Sequence, residues 1–305
     1  MRRLLILPVL LLSLLVGNSA SSADFQKGVD AVKKGDFATA LREWEPLAKQ
    51  GNAHAQFNLG LMYQYGKGVS QNDKTAVKWY RLAARQGDAH ARFNLGFMYE
   101  KGKGVSQNDE TAVRWWKLSA EQGNASAQYN LGVMFDEGLG VSQNDETAFR
   151  WFTLAAEQGI ALAQIYLGAM YQKGQGVPQN NKTAVKWYTL AAKQGYASAQ
   201  YNLGVMYAIG KGVPQNYKSA VKWFKLASKQ GVADAQYNLG VMYEGGLGVI
   251  HNKIYAHMWG TLAAANGHEN GIKVSEFVAN RMTPSQIEKA QDLALECVNS
   301  GYKGC

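Results

Sequence analysis

The sequence predicts an all-α solenoid built from six consecutive copies of one helix–loop–helix unit, and three observations carry that expectation. Leu59-Gly60 returns as Leu95-Gly96, Leu131-Gly132, Leu167-Gly168, Leu203-Gly204 and Leu239-Gly240, a period of 36 residues without insertion. A tryptophan keeps the same beat at Trp79, Trp115, Trp151, Trp187, Trp223 and Trp259, as does a Gln-Gly or Asn-Gly step from Gln50-Gly51 to Asn266-Gly267. Within a copy, Ala55, Leu59, Met62 and Tyr63 fall at helical spacing, and Ala76, Trp79, Tyr80 and Ala83 do so again. A fixed period of this size marks stacked units, each burying its apolar face only against its neighbours.

The chain opens with Met1-Arg2-Arg3 and a leucine-rich stretch of signal-peptide length, followed by Ser21-Ser22-Ala23 as a cleavage site. The apolar run is short and interrupted by Pro8, so it is not expected to span a membrane. Residues 1–23 are therefore expected to direct export, and the mature protein to reside in the periplasm or be secreted. Residues 24–51 form an opening hairpin with a short loop at Lys34-Gly35-Asp36, in which Trp44 takes the place of Tyr80.

The repeats occupy 52–87, 88–123, 124–159, 160–195, 196–231 and 232–267. In each, Gly66-Lys67-Gly68 or its equivalent breaks the first helix. An asparagine then caps the second: Asn72, Asn108, Asn144, Asn180, Asn216 and Asn252. A glycine such as Gly87 ends it. The mid-helix glycine at Gly60 and its equivalents is unfavourable by roughly 1 kcal/mol relative to alanine, so its repetition needs a reason. The expected reason is close helix packing, with the Trp79-type ring seated over the missing side chain and the recurrent tryptophans and tyrosines in the core. Residues 268–305 lose the Leu-Gly beat and are expected to cap the array, with a helix starting at Thr283-Pro284.

The string A-x-A-Q-x-N-L-G-x-M-Y-x-x-G-x-G-V-x-Q-N resembles a Sel-1-like repeat, a relative of the tetratricopeptide repeat with a longer loop. The resemblance implies a right-handed superhelix of α/α repeats and a role in binding proteins. Members of that family serve envelope signalling, exopolysaccharide assembly and bacterium–host interaction. Cysteine-rich relatives are described as β-lactamases, and Ser219-Ala220-Val221-Lys222 matches their S-x-x-K pattern. The same place reads Thr75-Ala76-Val77-Lys78 in another copy, and the companion motifs are missing, so it is repeat consensus rather than a nucleophile.

No catalytic constellation, cofactor motif or metal-ligand spacing is found, although His54 and His90 occupy equivalent positions on successive first helices. The two cysteines, Cys297 and Cys305, are expected to pair in an oxidising compartment, stabilising by roughly 2–3 kcal/mol. Net charge is +9, and +7 without Arg2 and Arg3, with a basic lane at Lys78, Arg114, Arg150, Lys186 and Lys222. Export disfavours nucleic acid, so a protein partner, acidic in character, or a cell-envelope glycan such as peptidoglycan is expected. The lane itself is expected to be a solvated outer face. An asparagine ladder, Asn58, Asn94, Asn130, Asn202 and Asn238, is the remaining oddity, because asparagine is a poor mid-helix residue. With Phe57, Phe93, Tyr129, Tyr201 and Tyr237 beside it, the ladder is the candidate lining of a concave partner-binding groove. The expected function is that of a non-enzymatic adaptor, with a glycan binder and a hydrolase as the alternatives.

Overall fold

The computed structural model describes residues 21–302 and Cys305; the expected export segment as far as residue 20 lies outside them. The described residues hold sixteen helices and no strand. They fall into two compact units, one ending at Ile160 and the other running from Ala161 to Cys305, each an all-α stack of antiparallel helix pairs.

The first unit contains α1 (Ser21–Lys33), α2 (Phe37–Lys49), α3 (Ala53–Tyr65), α4 (Asp73–Arg85), α5 (Ala89–Lys101), α6 (Asp109–Ala120), α7 (Ala125–Glu137) and α8 (Asp145–Glu157). The second contains α9 (Ala161–Lys173), α10 (Asn181–Lys193), α11 (Ala197–Ile209), α12 (Tyr217–Ser228), α13 (Ala233–Gly245), α14 (Lys253–Ala265), α15 (Gly271–Ala279) and α16 (Pro284–Asn299).

The ends of these helices follow from local chemistry. The Asn72 side chain accepts a hydrogen bond from the Thr75 backbone N–H at 2.9 Å, and Asn108, Asn144, Asn180 and Asn216 repeat it. Each satisfies a donor that a helix start leaves unpaired. The connecting loop folds back on its own first helix, the Asn72 N–H donating to the Tyr63 carbonyl at 2.8 Å. The second loop glycine is doubly constrained. Gly104 has φ of 68°, and a Cβ there would overlap the Asp73 backbone of the preceding repeat. The loop is thus a stacking surface between repeats as well as a connection.

The mid-helix glycines do permit close packing, but the ring they seat is not the expected one. A Cβ on Gly132 would lie 2.5 Å from the ring of Phe152, and one on Gly96 would lie 2.6 Å from Trp116. Gly60, Gly168 and Gly204 face Tyr80, Tyr188 and Phe224 in the same way. The seated ring is therefore the residue after the beat tryptophan, on the second helix of the same repeat. Tyr80, Trp116, Phe152, Tyr188 and Phe224 are fully buried, whereas Trp79, Trp115, Trp151, Trp187 and Trp223 are half-buried flank residues. One residue is about 100° on a helix, which turns the tryptophan from the centre of the apolar face to its edge. The opening hairpin obeys the same rule: Gly28 faces Trp44, whose indole N–H donates to the Phe25 carbonyl at 3.1 Å, as Trp116 does to Phe93 at 3.0 Å.

A second device joins successive repeats. The buried Gln56 side chain donates to the Ala48 carbonyl and accepts from Gln86 at 2.7 Å. The pairs Gln158–Gln128, Gln194–Gln164, Gln230–Gln200 and Asn266–Gln236 repeat the latter bond 30 residues apart. Arg92 stands where the others have glutamine and replaces both bonds, donating to Ala84 O and to the Gln122 side chain. The Gln-Gly beat is thus the outer end of a part-buried hydrogen-bond relay as well as a turn.

The array changes at α14. Gly260 stands where a large ring stands in the other repeats, and Trp259 is now buried instead. A Cβ on Gly260 would lie 2.9 Å from the Ser275 backbone N, so α15 packs onto α14 at backbone distance. The closing helix α16 starts with the expected capping box between Thr283 and Gln286. The Cα atoms of Cys297 and Cys305 are 5.3 Å apart, a disulfide separation.

Candidate functional site

A groove of about 390 Å³ lies in the second unit, lined by Tyr237, Val241 and Glu244 of α13, Asn270 at the start of α15, and Lys273, Val274 and Phe277 of α15. Its origin is the broken beat. Ser275 and Glu276 replace the Leu-Gly pair, and α15 is only 9 residues long against 13 for α13, so the short helix leaves part of α13 uncovered. Val241 is 38% exposed and Phe277 59% exposed, both large apolar side chains in contact with solvent.

The walls are held in place. The Tyr237 ring stacks on His268 with centroids 4.1 Å apart. Opposite, the Arg281 guanidinium lies 3.9 Å from the Phe277 ring centroid and pairs with Glu244 at 2.7 Å. Lys273 donates to the Asn270 side chain at 2.9 Å. An apolar floor with fixed aromatic walls and a rim of both charges is suited to receiving an apolar side chain whose flanks are polar. It holds no activated nucleophile. Among the described residues, no group of three or more His, Cys, Asp or Glu converges as metal ligands.

The ladder divides between the units. In the first, Phe57, Asn58, Phe93, Asn94, Tyr129 and Asn130 are all buried. The Phe57 ring packs on Tyr80 and the Tyr129 ring on Phe152, each against the core ring of its own repeat. The Asn58 amide has no hydrogen-bond partner among the described residues, while the Asn94 side chain interacts with the Tyr80 phenol and opposes the rise that burial imposes on it. In the second unit Tyr201, Asn202, Tyr237 and Asn238 are half-buried. Asn238 Nδ2 donates to the Asp234 carbonyl of its own helix at 2.9 Å. Burial raises the Tyr201 phenol, and a hydrogen bond from Asn238 opposes that rise. Only the Tyr237 end of the ladder joins the groove. Val241, Lys273 and Phe277 were not expected from the sequence, whose repeat logic ends just before α15.

The histidines do not pair. His54 sits 3.4 Å from Asp88, and His90 packs against the Phe57 ring. The bond from the His54 ring to the Asp88 carboxylate raises the His54 pKa, and partial desolvation opposes it. Lys78, Arg114, Arg150, Lys186 and Lys222 are exposed, as expected of an outer face, and Arg150 pairs with Glu146 at 2.8 Å.

The Sel1 repeat profile matches residues 53–88, 89–124, 125–160, 161–196, 197–232 and 233–268, well over half of the chain. The chain belongs to the Sel1 repeat family. Among solved structures, a Sel1 repeat protein from Oxalobacter formigenes is 35% identical with a TM-score of 0.68, over 79% of this chain and 96% of that one. The protein c5321, described as a protective antigen present in uropathogenic Escherichia coli strains and displaying an SLR fold, is 30% identical with a TM-score of 0.63, over 92% of this chain and 70% of that one. No curated protein matches significantly. Sel1 repeats generally mediate protein–protein interaction, and the fold is typically a non-catalytic scaffold. No helix of the described residues is long and apolar enough to cross a membrane.

Proposed function

We propose that this Sel1 repeat protein is a non-enzymatic adaptor of the bacterial envelope that binds a segment of a partner protein along its first-helix face. The observation that carries the reading is the half-exposed strip Tyr201, Asn202, Tyr237 and Asn238, which runs into the groove at Val241, Val274 and Phe277. The groove anchors an apolar side chain, and the strip supplies phenols and amides for the partner's backbone. The basic, leucine-rich start of the chain supports export, and an oxidising compartment suits the Cys297–Cys305 pair.

The test is selection from a displayed random-peptide library against the protein, followed by binding to the variants Val241→Lys and Phe277→Ser. Selected peptides should share an apolar anchor and bind each variant at least about tenfold more weakly, the equivalent of about 1.4 kcal/mol. Melting temperatures should stay unchanged, because both positions are solvent-exposed. Peptides that bind both variants as tightly as the parent would refute the groove, and selection of glycans but no peptides on an envelope array would favour a carbohydrate partner.

A further inference from the structure

Charge is not spread evenly along the repeats. Between Glu157 and Asp234 the sequence contains nine lysines, no arginine and no acidic residue. Lys182, Lys186 and Lys193 of α10, Lys218 and Lys222 of α12, and Lys229 at its C-terminal cap are exposed. At about 100° per residue, each trio falls within an arc of roughly 40° opposite the buried face. Leu190 and Leu226 stand exposed beside them, 44% and 39% accessible, with Trp187 and Trp223 half-buried at the edge. Lys222 Nζ lies 5.7 Å from the Trp223 ring centroid.

This arrangement is locally unfavourable in two ways. Lys182 and Lys218 lie in the first turns of their helices, where the peptide dipoles favour anions. Each also stands four residues before another lysine, a repulsive spacing. The equivalent positions of the second and third repeats hold Glu110 and Glu146, which pair with Arg114 and Arg150. The same fold therefore accommodates the favourable choice, and the fourth and fifth repeats do without it, as does the first with Lys74 and Lys78, where Asp73 precedes them.

We propose that the outer face of α10 and α12 docks on an anionic lipid surface. Lysines act as hydrated point charges suited to a diffuse negative field, whereas recognition of individual carboxylates favours the forked guanidinium of arginine. Leucines and amphipathic indole rings among the lysines suit a headgroup boundary, where apolar side chains enter and ammonium groups stay with the phosphates. The surface lies on second helices and does not rest on the first-helix groove.

The test is co-sedimentation of the chain from residue 24 onward, so that the leucine-rich start does not itself insert. Vesicles of phosphatidylcholine alone are compared with vesicles carrying about 30% phosphatidylglycerol. Binding is expected only to the anionic vesicles, falling steeply at about 0.3 M salt. Lys182→Glu with Lys218→Glu copies the chain's own second and third repeats, should keep its helicity and melting temperature, and should weaken binding by at least about thirtyfold. Lys186→Gln with Lys222→Gln gives a smaller loss in the same direction. Leu190→Ser with Leu226→Ser should also weaken it. Absence of sedimentation at low salt, equal binding to both vesicles, or lysine variants that bind normally overturns the proposal. Leucine variants that bind normally, with full competition by soluble polyglutamate, overturn it in favour of an acidic protein.

Discussion

Two glycines that look identical in the sequence should respond differently to one added methyl group. Gly132 and Gly240 both follow the beat leucine in the middle of a first helix. At Gly132 a Cβ would lie 2.5 Å from Phe152 Cδ1 and Cε1, and that ring is wholly buried. A carbon pair needs about 3.5 Å or more, so the ring must move by about 1 Å in a space with nowhere to go. Overpacking of this kind costs about 1–3 kcal/mol, while alanine recovers roughly 1 kcal/mol of helix propensity. The net expectation for Gly132→Ala is a loss of up to about 2 kcal/mol, or a fall of up to about 6 °C in melting temperature for a unit of this size. At Gly240 the nearest atoms are Val274 Cγ1 at 3.2 Å and the Ala256 carbonyl at 3.3 Å, tight but with no ring beneath. There propensity offsets crowding, and Gly240→Ala should lie within about 1 kcal/mol of the parent. Thermal and urea unfolding followed by circular dichroism measure both. Equal effects of the two substitutions, or a more stable Gly132→Ala, would refute the ring-seating account.

The relay and a histidine give two further tests. Gln158→Ala removes the donor to the buried Gln128 side-chain oxygen and should cost about 1–3 kcal/mol, whereas Arg92→Gln restores the residue of the other repeats and should be nearly neutral; the urea midpoints of the two decide it. His54 has a folded pKa raised by its hydrogen bond to Asp88, so its contribution is fully present below the ordinary histidine value and is lost as pH rises through the folded value. His54→Asn should therefore lower the melting temperature more at acid than at alkaline pH, and equal losses at both would count against the ion pair.

The fold was legible because the repeat period, the asparagine caps and the loop glycines are local signals, and six copies average out noise in any one. Which ring fills the glycine seat was not legible. The regular tryptophan drew attention, while the residue after it varies as Tyr80, Trp116, Phe152, Tyr188 and Phe224. Shape at that position is conserved only as a flat ring, and its face of the helix is fixed by the partner helix. The glutamine relay was half visible: both glutamines recur, but their bond joins residues 30 apart, and only the packing of the two helices of one repeat brings them to 2.7 Å.

By itself the sequence determined the helices, their ends and the order in which they stack, since each depends on residues within one period. It also determined that the fourth and fifth repeats would carry lysines and no acidic residue, because composition alone places them there. Tertiary structure decided what those helices bury and what they leave open. Ladder asparagines within the identical stretch ASAQYNLGVM are buried at Asn130 and half-exposed at Asn202. The groove exists because a nine-residue α15 packs onto α14 through Gly260 and falls short of covering α13. Helical periodicity assigns a residue to a face, but exposure depends on what packs over that face, and a broken repeat removes the neighbour that periodicity would have supplied.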